Sequence, residues 1–386
     1  MARLSALFGR GSGLLLRPLS QARGVPRRRL GQLSPPDNSL PPQTQADFRH
    51  STAFEVLEQA GTAKRAQLLA GADAFVFDCD GVLWKGDAAL PQAAETVAYL
   101  RAQGKLVFFM TNNSTRSRAS LLEKFHKLGI SAEAHEVLSS AYAAALLLQR
   151  GGPLQLAPGT QAYVVGEEGI CDELRMAGVP FCGGPEDSGR VVAAIPAAAA
   201  TATATATAAV VTADKEVPRV PKVGAVVVGL DRALSYWKLQ RAQLCLQDPS
   251  VSFVATNRDA TAHLSPGTLW AGAGACVGAV AAASGRLPQV AGKPSSVLLD
   301  CLLARHPLLR RERMVMVGDR LDTDMAFGSA HGLQTLLTLS GVTSAEQLQR
   351  GLGAGLEVAS ARVDYVCLSV AALLPPPHDG AGAGVG

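Results

Sequence analysis

The stretch AFVFDCDGVLW (74–84) decides how this chain is read. Four apolar residues run into Asp78-Cys79-Asp80-Gly81, the pattern of a buried strand that ends on two acids and a turn. Strand side chains alternate, so Asp78 and Asp80 point roughly the same way while Cys79 points elsewhere. Gly81 lets the chain bend sharply away. Three further patches carry polar groups beyond or near apolar runs: KLVFFM-TNNS (105–114), GKPSS (292–296) and MVMV-GDRLDTD (314–324). A carboxylate pair alone reads equally well as a turn after a strand. A pair followed in order by a hydroxyl, a lysine and a second acidic cluster does not.

Those residue types fit the hydrolysis of a phosphate monoester. A phosphate dianion repels a carboxylate nucleophile, so a cation has to bring the two together. A hard divalent ion such as Mg2+ suits Asp78, Asp319 and one more oxygen, for which the main-chain carbonyl of Asp80 serves. Asp78 reads as the nucleophile that forms an aspartyl-phosphate, and Asp80 as the acid and then base of the two half-reactions. Thr111 and the amides of Asn112 and Asn113 would hold non-bridging oxygens, with Lys293 neutralising charge on the phosphate and on Asp78. Asp324 would act behind them, orienting metal waters or Lys293. Taken singly, Thr111-Asn112-Asn113 is also an ordinary helix N-cap and Lys293 a solvated lysine. Asp322 reads as a surface or helix-start acid.

The four motifs resemble the haloacid dehalogenase superfamily of phosphatases. DCDGVLW, TNNS, GKPS and GDRLDTD take the forms of its phosphoglycolate and pyridoxal phosphatase (chronophin) branch. The segments VVGEEGICDELRMAGVPFCGGPED (164–187), AVVVGLDR (225–232), FVATNRDATAHL (253–264) and WAGAGACVGA (270–279) are similar to the plant and algal 2-phosphoglycolate phosphatases in particular. The resemblance covers about residues 71 to 375. It implies a Mg2+-dependent phosphatase acting on a small phosphate monoester, 2-phosphoglycolate first and pyridoxal 5′-phosphate second. It also implies a homodimer formed through the cap.

Strand-like and helix-like segments alternate, which predicts an α/β fold with a doubly wound parallel sheet. SLLEKFHKLGI (120–130) and AYAAALLLQR (141–150) read as helices, as does AFEVLEQAGTAKRAQLLAG (53–71). Ligands in such sheets sit at the carboxyl ends of strands, where the motifs fall. The predicted organisation is a core over 71–152 and 287–375 and an inserted α/β cap over 153–286, entered through the glycine and proline junction GGPLQLAPGT (151–160). Within the cap, the alanine-threonine run of 195–222 reads as low complexity, and 376–386 as a frayed tail.

Residues 1–50 read as a transit peptide. Seven arginines and no acid fall within residues 1–36, and the runs of apolar residues are short and interrupted. Composition fits chloroplast or mitochondrion alike, and the resemblance selects the chloroplast stroma. The rest of the chain holds 29 basic against 32 acidic residues, so the formal +4 implies no nucleic-acid surface beyond that segment. No membrane span is expected. Seven scattered cysteines without a CxxC pair argue against zinc and for reduced thiols. GRLPQVAGKPS lacks the spacing of a Walker A loop, and WAGAGACVGA lacks the strand, helix and later acid of a dinucleotide site. His263, in a cap loop, reads equally as a substrate-facing or a surface residue.

Overall fold

The computed structural model describes residues 55–57, 61–192, 213–214, 217–265, 268–348 and 361–376. A seven-stranded parallel sheet forms the core, in the order Glu55–Val56, Tyr365–Cys367, Gln334–Thr338, Met314–Gly318, Ala74–Phe77, Leu106–Thr111, Val137–Ser139. The chain starts one half of this sheet at Ala74–Phe77, winds to one side, and returns to wind to the other. Asp78 therefore stands at the point where strand order reverses, the crevice in which α/β sheets bind ligands.

All four residues of Ala74–Phe77 are buried, as a central parallel strand covered on both faces requires. Ala74 and Val76 join an apolar cluster with helices Ser140–Leu148 and Val297–Arg305. Phe75 and Phe77 face the opposite cluster, which includes helices Gly61–Gly71, Ala93–Ala102 and Arg118–Lys127. Each fully buried Phe contributes about 1.5–3 kcal/mol, enough to hold the strand in one register.

A second, five-stranded parallel sheet lies between the two parts of the core, in the order Gln289–Val290, Ser252–Ala255, Val223–Val228, Gln161–Val165, Phe181–Gly183. One of its faces packs on helices Tyr236–Leu246 and Ala273–Ser284. The other, through Ala162, Val164, Ala225, Val227 and Val254, belongs to the same apolar cluster as core helix Ser140–Leu148. The cap is thus seated on the core by continuous apolar packing. A hairpin of Thr261–Ser265 and Thr268–Ala271 rises from it.

Three details differ from the sequence reading. Residues 53–71 are not one helix: Glu55–Val56 pairs with Tyr365–Val366 at the sheet edge, and the helix covers Gly61–Gly71. An edge strand of two residues is too short a run for periodicity to reveal. Gln289–Val290, expected in the core, is the last strand of the cap sheet, because its backbone pairs with Val254–Ala255. Thr111 ends a strand and caps no helix; the following helix is capped by Ser117, whose Oγ accepts from Ser120 N. Residues 1–50, most of the alanine-threonine run and 377–386 lie outside the described residues. Among the described residues no helix is long and apolar enough to cross a membrane, and none of the seven cysteines is in a disulfide.

Candidate active site

The carboxyl ends of three adjacent core strands deliver the motif residues to one place. Asp78 N donates to Val317 O at 2.8 Å, so the ladder between the two strands runs on to the first acid. Gly81 then turns the chain with φ of 89°, a backbone state glycine reaches without strain. A Cβ at Gly81 or Gly341 would collide with the Asp319 carboxylate, so both glycines make room for it. A single π-type turn, Leu321–Met325, brings Asp324 back under Asp319.

Lys293 joins the patches. Its ammonium donates to Asp78 Oδ1 at 2.6 Å, to Asp324 Oδ1 at 2.7 Å and to Met110 O at 2.7 Å. Burial works against that charge, but Asp324 and Asp78 outweigh it and hold the ammonium protonated. The other Asp324 oxygen accepts from the amides of Asp319 and Arg320, both at 3.1 Å. Asp324 is therefore committed to Lys293 and to the loop that carries Asp319.

Asp78, Asp319 and Asp324 offer carboxylate oxygens within 4.8 Å of one another, all buried. Burial raises Asp78 above the usual carboxylate range. Burial and the Asp324 charge push Asp319 up to about 7. Three carboxylates facing one ammonium leave surplus negative charge in a buried place. A hard divalent cation relieves that surplus, and the oxygen-only donor set fits one.

Asp80 is held apart from this cluster. Its Oδ1 accepts from the Trp84 indole at 2.8 Å, with Lys124 Nζ 3.9 Å away, and its Oδ2 accepts from Asn113 Nδ2 at 3.4 Å. Thr111 Oγ1 accepts from Asn113 N at 3.0 Å, which leaves its own O–H to be donated elsewhere. The Asn112 side chain turns away to the Lys293 main chain and to Asp259 of the cap.

Core and cap together line an open-mouthed cavity of about 70 Å³ over these groups, bounded also by Leu230, Asn257, Asp259, Thr261 and Arg320. Arg320 Nη1 donates to Thr261 Oγ1 at 3.2 Å while its other nitrogens pair with exposed Asp322. Burial raises Asp259 to about 6. Trp84, Lys124, Asn257, Asp259 and Arg320 were not picked out as site residues from sequence. The signal for Asn257 and Asp259 was present, because they follow strand Ser252–Ala255 as Asp78 follows its own. Of His263, only the backbone is described, in the hairpin.

The chain belongs to the haloacid dehalogenase-like hydrolases. Residues 75–180 match the family model described as haloacid dehalogenase-like hydrolase, and residues 290–373 a HAD-hydrolase-like model. The chain is a phosphoric monoester hydrolase of that family. It is 42% identical over 284 residues to phosphoglycolate phosphatase 1A, chloroplastic, of Arabidopsis thaliana, a match spanning 73% of each chain. Human glycerol-3-phosphate phosphatase is 39% identical over 322 residues, 81% of this chain and 94% of that one. The fold is similar to the glycerol phosphate phosphatase of Mycobacterium tuberculosis solved in complex with magnesium (TM-score 0.60, 27% identity, 80% of this chain and 81% of that one).

Proposed function

We propose that this protein hydrolyses 2-phosphoglycolate to glycolate and phosphate, with Mg2+, through a phosphoryl group carried on Asp78. The observation that carries the reading is the Lys293 ammonium between Asp78 and Asp324, with Asp319 beside them in a cavity beneath the cap.

An Asp78 oxygen attacks phosphorus, and the bond from phosphorus to the glycolate oxygen breaks. Asp80, held by Trp84 and Asn113, gives its proton to that leaving oxygen. Water then forms the new bond to phosphorus, losing its proton to Asp80 as the Asp78–phosphorus bond breaks. Lys293 keeps Asp78 aimed and offsets charge on the phosphate, while the Thr111 hydroxyl, oriented by Asn113 N, and the main-chain amide of Asn112 donate to non-bridging oxygens. Asp78, Asp319 and the main-chain carbonyl of Asp80 would hold Mg2+, whose charge offsets the repulsion between nucleophile and phosphate.

Cavity size favours a small ester. The free volume of about 70 Å³ is roughly half the ~150 Å³ in which an engineered cavity takes benzene, which suits the smaller ester better than a pyridoxal ring. Arg320 puts a cation on the cavity wall, which suits the carboxylate of 2-phosphoglycolate. The similarity to human glycerol-3-phosphate phosphatase supports glycerol 3-phosphate as the second reading. Catalytic efficiencies for 2-phosphoglycolate, glycerol 3-phosphate and pyridoxal 5′-phosphate, with Mg2+ and with chelator, decide among them. A strong preference for 2-phosphoglycolate, lost with chelator, is expected; a preference for either other ester overturns the substrate.

The arginine-rich segment and the chloroplastic Arabidopsis relative support residence in the chloroplast stroma. A fluorescent fusion of residues 1–50 entering mitochondria alone would overturn it. A homodimer through the cap completes the proposal, and a monomer by light scattering at micromolar concentration would contradict it.

A further inference from the structure

We propose that Asp259, carried by the cap, is a positioning residue for Lys293 and acts through the side chain of Asn112. The inference rests on the reading of Lys293 as the cation beside Asp78. It gives the Asn112 side chain a task apart from that of its main-chain amide.

The Asn112 amide is fully engaged. Its Oδ1 accepts from Lys293 N at 2.9 Å, and its Nδ2 donates to Lys293 O at 3.2 Å and to Asp259 Oδ1 at 3.0 Å. Both N–H bonds are used, so the side chain has no donor left for a phosphate oxygen. Gripping both polar groups of the Lys293 main chain fixes where the side chain starts, and its ammonium then lands within 2.7 Å of three oxygens. A side chain at Gly292 would strike Asn112 Oδ1 and the Thr256 carbonyl, so glycine lets the two segments lie flush.

Asp259 reinforces the orientation that the Lys293 N–H and carbonyl already require of the amide. The oxygen and nitrogen ends of Asn112 have nearly the same shape, and only their polarity separates the two orientations. An ionised carboxylate only accepts, so it draws Nδ2 toward the cap and sends Oδ1 toward the Lys293 amide. The reverse orientation sets a carbonyl against a carboxylate and an NH2 against an N–H.

The cap controls this contact. Asp259 follows cap strand Ser252–Ala255, and Lys293 follows cap strand Gln289–Val290, which pairs with it. Asn257 Nδ2 donates to Asn112 O at 2.6 Å and Asn257 Oδ1 accepts from Asp259 N at 3.1 Å, so the braced cap loop holds Asn112 twice, through Asn257 and through Asp259. Seating the cap therefore sets Lys293, and through it Asp78.

Steady-state kinetics on 2-phosphoglycolate and p-nitrophenyl phosphate, with melting curves for every variant, test the proposal. Asp259→Ala should lower kcat about 10- to 100-fold on both esters with KM within about threefold. Asp259→Asn, which keeps an accepting oxygen, should restore kcat to within about threefold of wild type. Asn112→Ala should cost as much as Asp259→Ala, and the double variant no more than either. Unchanged kcat in Asp259→Ala overturns the proposal. So does equal loss in Asp259→Asn, which would mean the charge itself meets the substrate, and so does additive loss in the double variant. If Asp259→Ala fails to fold, Asn112→Ala alone and combined with Asp259→Asn makes the same comparison. Lys293→Ala separates this inference from its foundation: full turnover in that variant removes the Lys293 reading itself.

Discussion

Among the described residues two lysines are buried and paired, and they do different work. Lys238, in the cap, is fully buried and donates to Asp231 Oδ2 at 2.7 Å, while the other Asp231 oxygen accepts from Ala233 N. One positive charge meets one negative charge, and neither residue lines the active-site cavity. Lys293 meets two carboxylates and has a third, Asp319, close by, on the wall of a cavity. A buried ion pair by itself marks neither site nor stability. What marks the second place is imbalance: more acid than its ammonium can neutralise, facing a space that a cation and an anionic ester can enter together.

The comparison breaks most readily at Lys293. Lys293→Met should lower kcat by about a thousandfold or more, because the cation that aims Asp78 and offsets the phosphate charge is lost. Lys238→Met should do the opposite. It strands Asp231 in the cap interior and should cost about 3–5 kcal/mol of unfolding free energy, read in urea, while kcat per folded molecule stays within about twofold of wild type. A large kcat loss in a folded Lys238→Met variant would erase the distinction.

A smaller effect sharpens it. Asp319 is raised to about 7 from an ordinary 3.8, so the folded chain keeps a proton that the unfolded chain has released. Its contribution to the stability of metal-free protein is therefore present below about pH 4 and lost as pH rises to about 7. Melting curves of chelated protein at pH 5 and 8 should show a larger drop for wild type than for Asp319→Asn, and saturating Mg2+ should remove the difference. Equal drops in both proteins would refute the charge surplus.

How much of this was legible in sequence follows from the range of each interaction. Asp78, Asp80 and Asp319 were legible because each follows a buried apolar strand, and strand ends in a doubly wound sheet face the ligand. Thr111 was legible for the same reason. Lys293 was legible only by its order among the motifs, since no periodic run points at it; its strand proved to belong to the cap. Asn112 and Asn113 are read as phosphate ligands through their main-chain amides, because they adjoin Thr111. Their side chains reach Lys293, Asp259 and Asp80, contacts across 181, 147 and 33 positions that no local pattern encodes. Trp84 was visible as part of its motif, but its hydrogen bond to Asp80 depends on the turn at Gly81. The edge strand Glu55–Val56 was illegible because two residues carry no period.

Passage of phosphate through Asp78 leaves a phosphoryl group that chemistry can trap. Wild-type enzyme turning over 2-phosphoglycolate with Mg2+ is quenched, reduced with borohydride, and the peptide spanning residues 74–85 is sequenced by mass spectrometry. An acyl phosphate on Asp78 should appear as homoserine at that position and be absent without substrate. Phosphate release with Asp78 unmodified, or with the reduced residue at Asp80, would contradict the account.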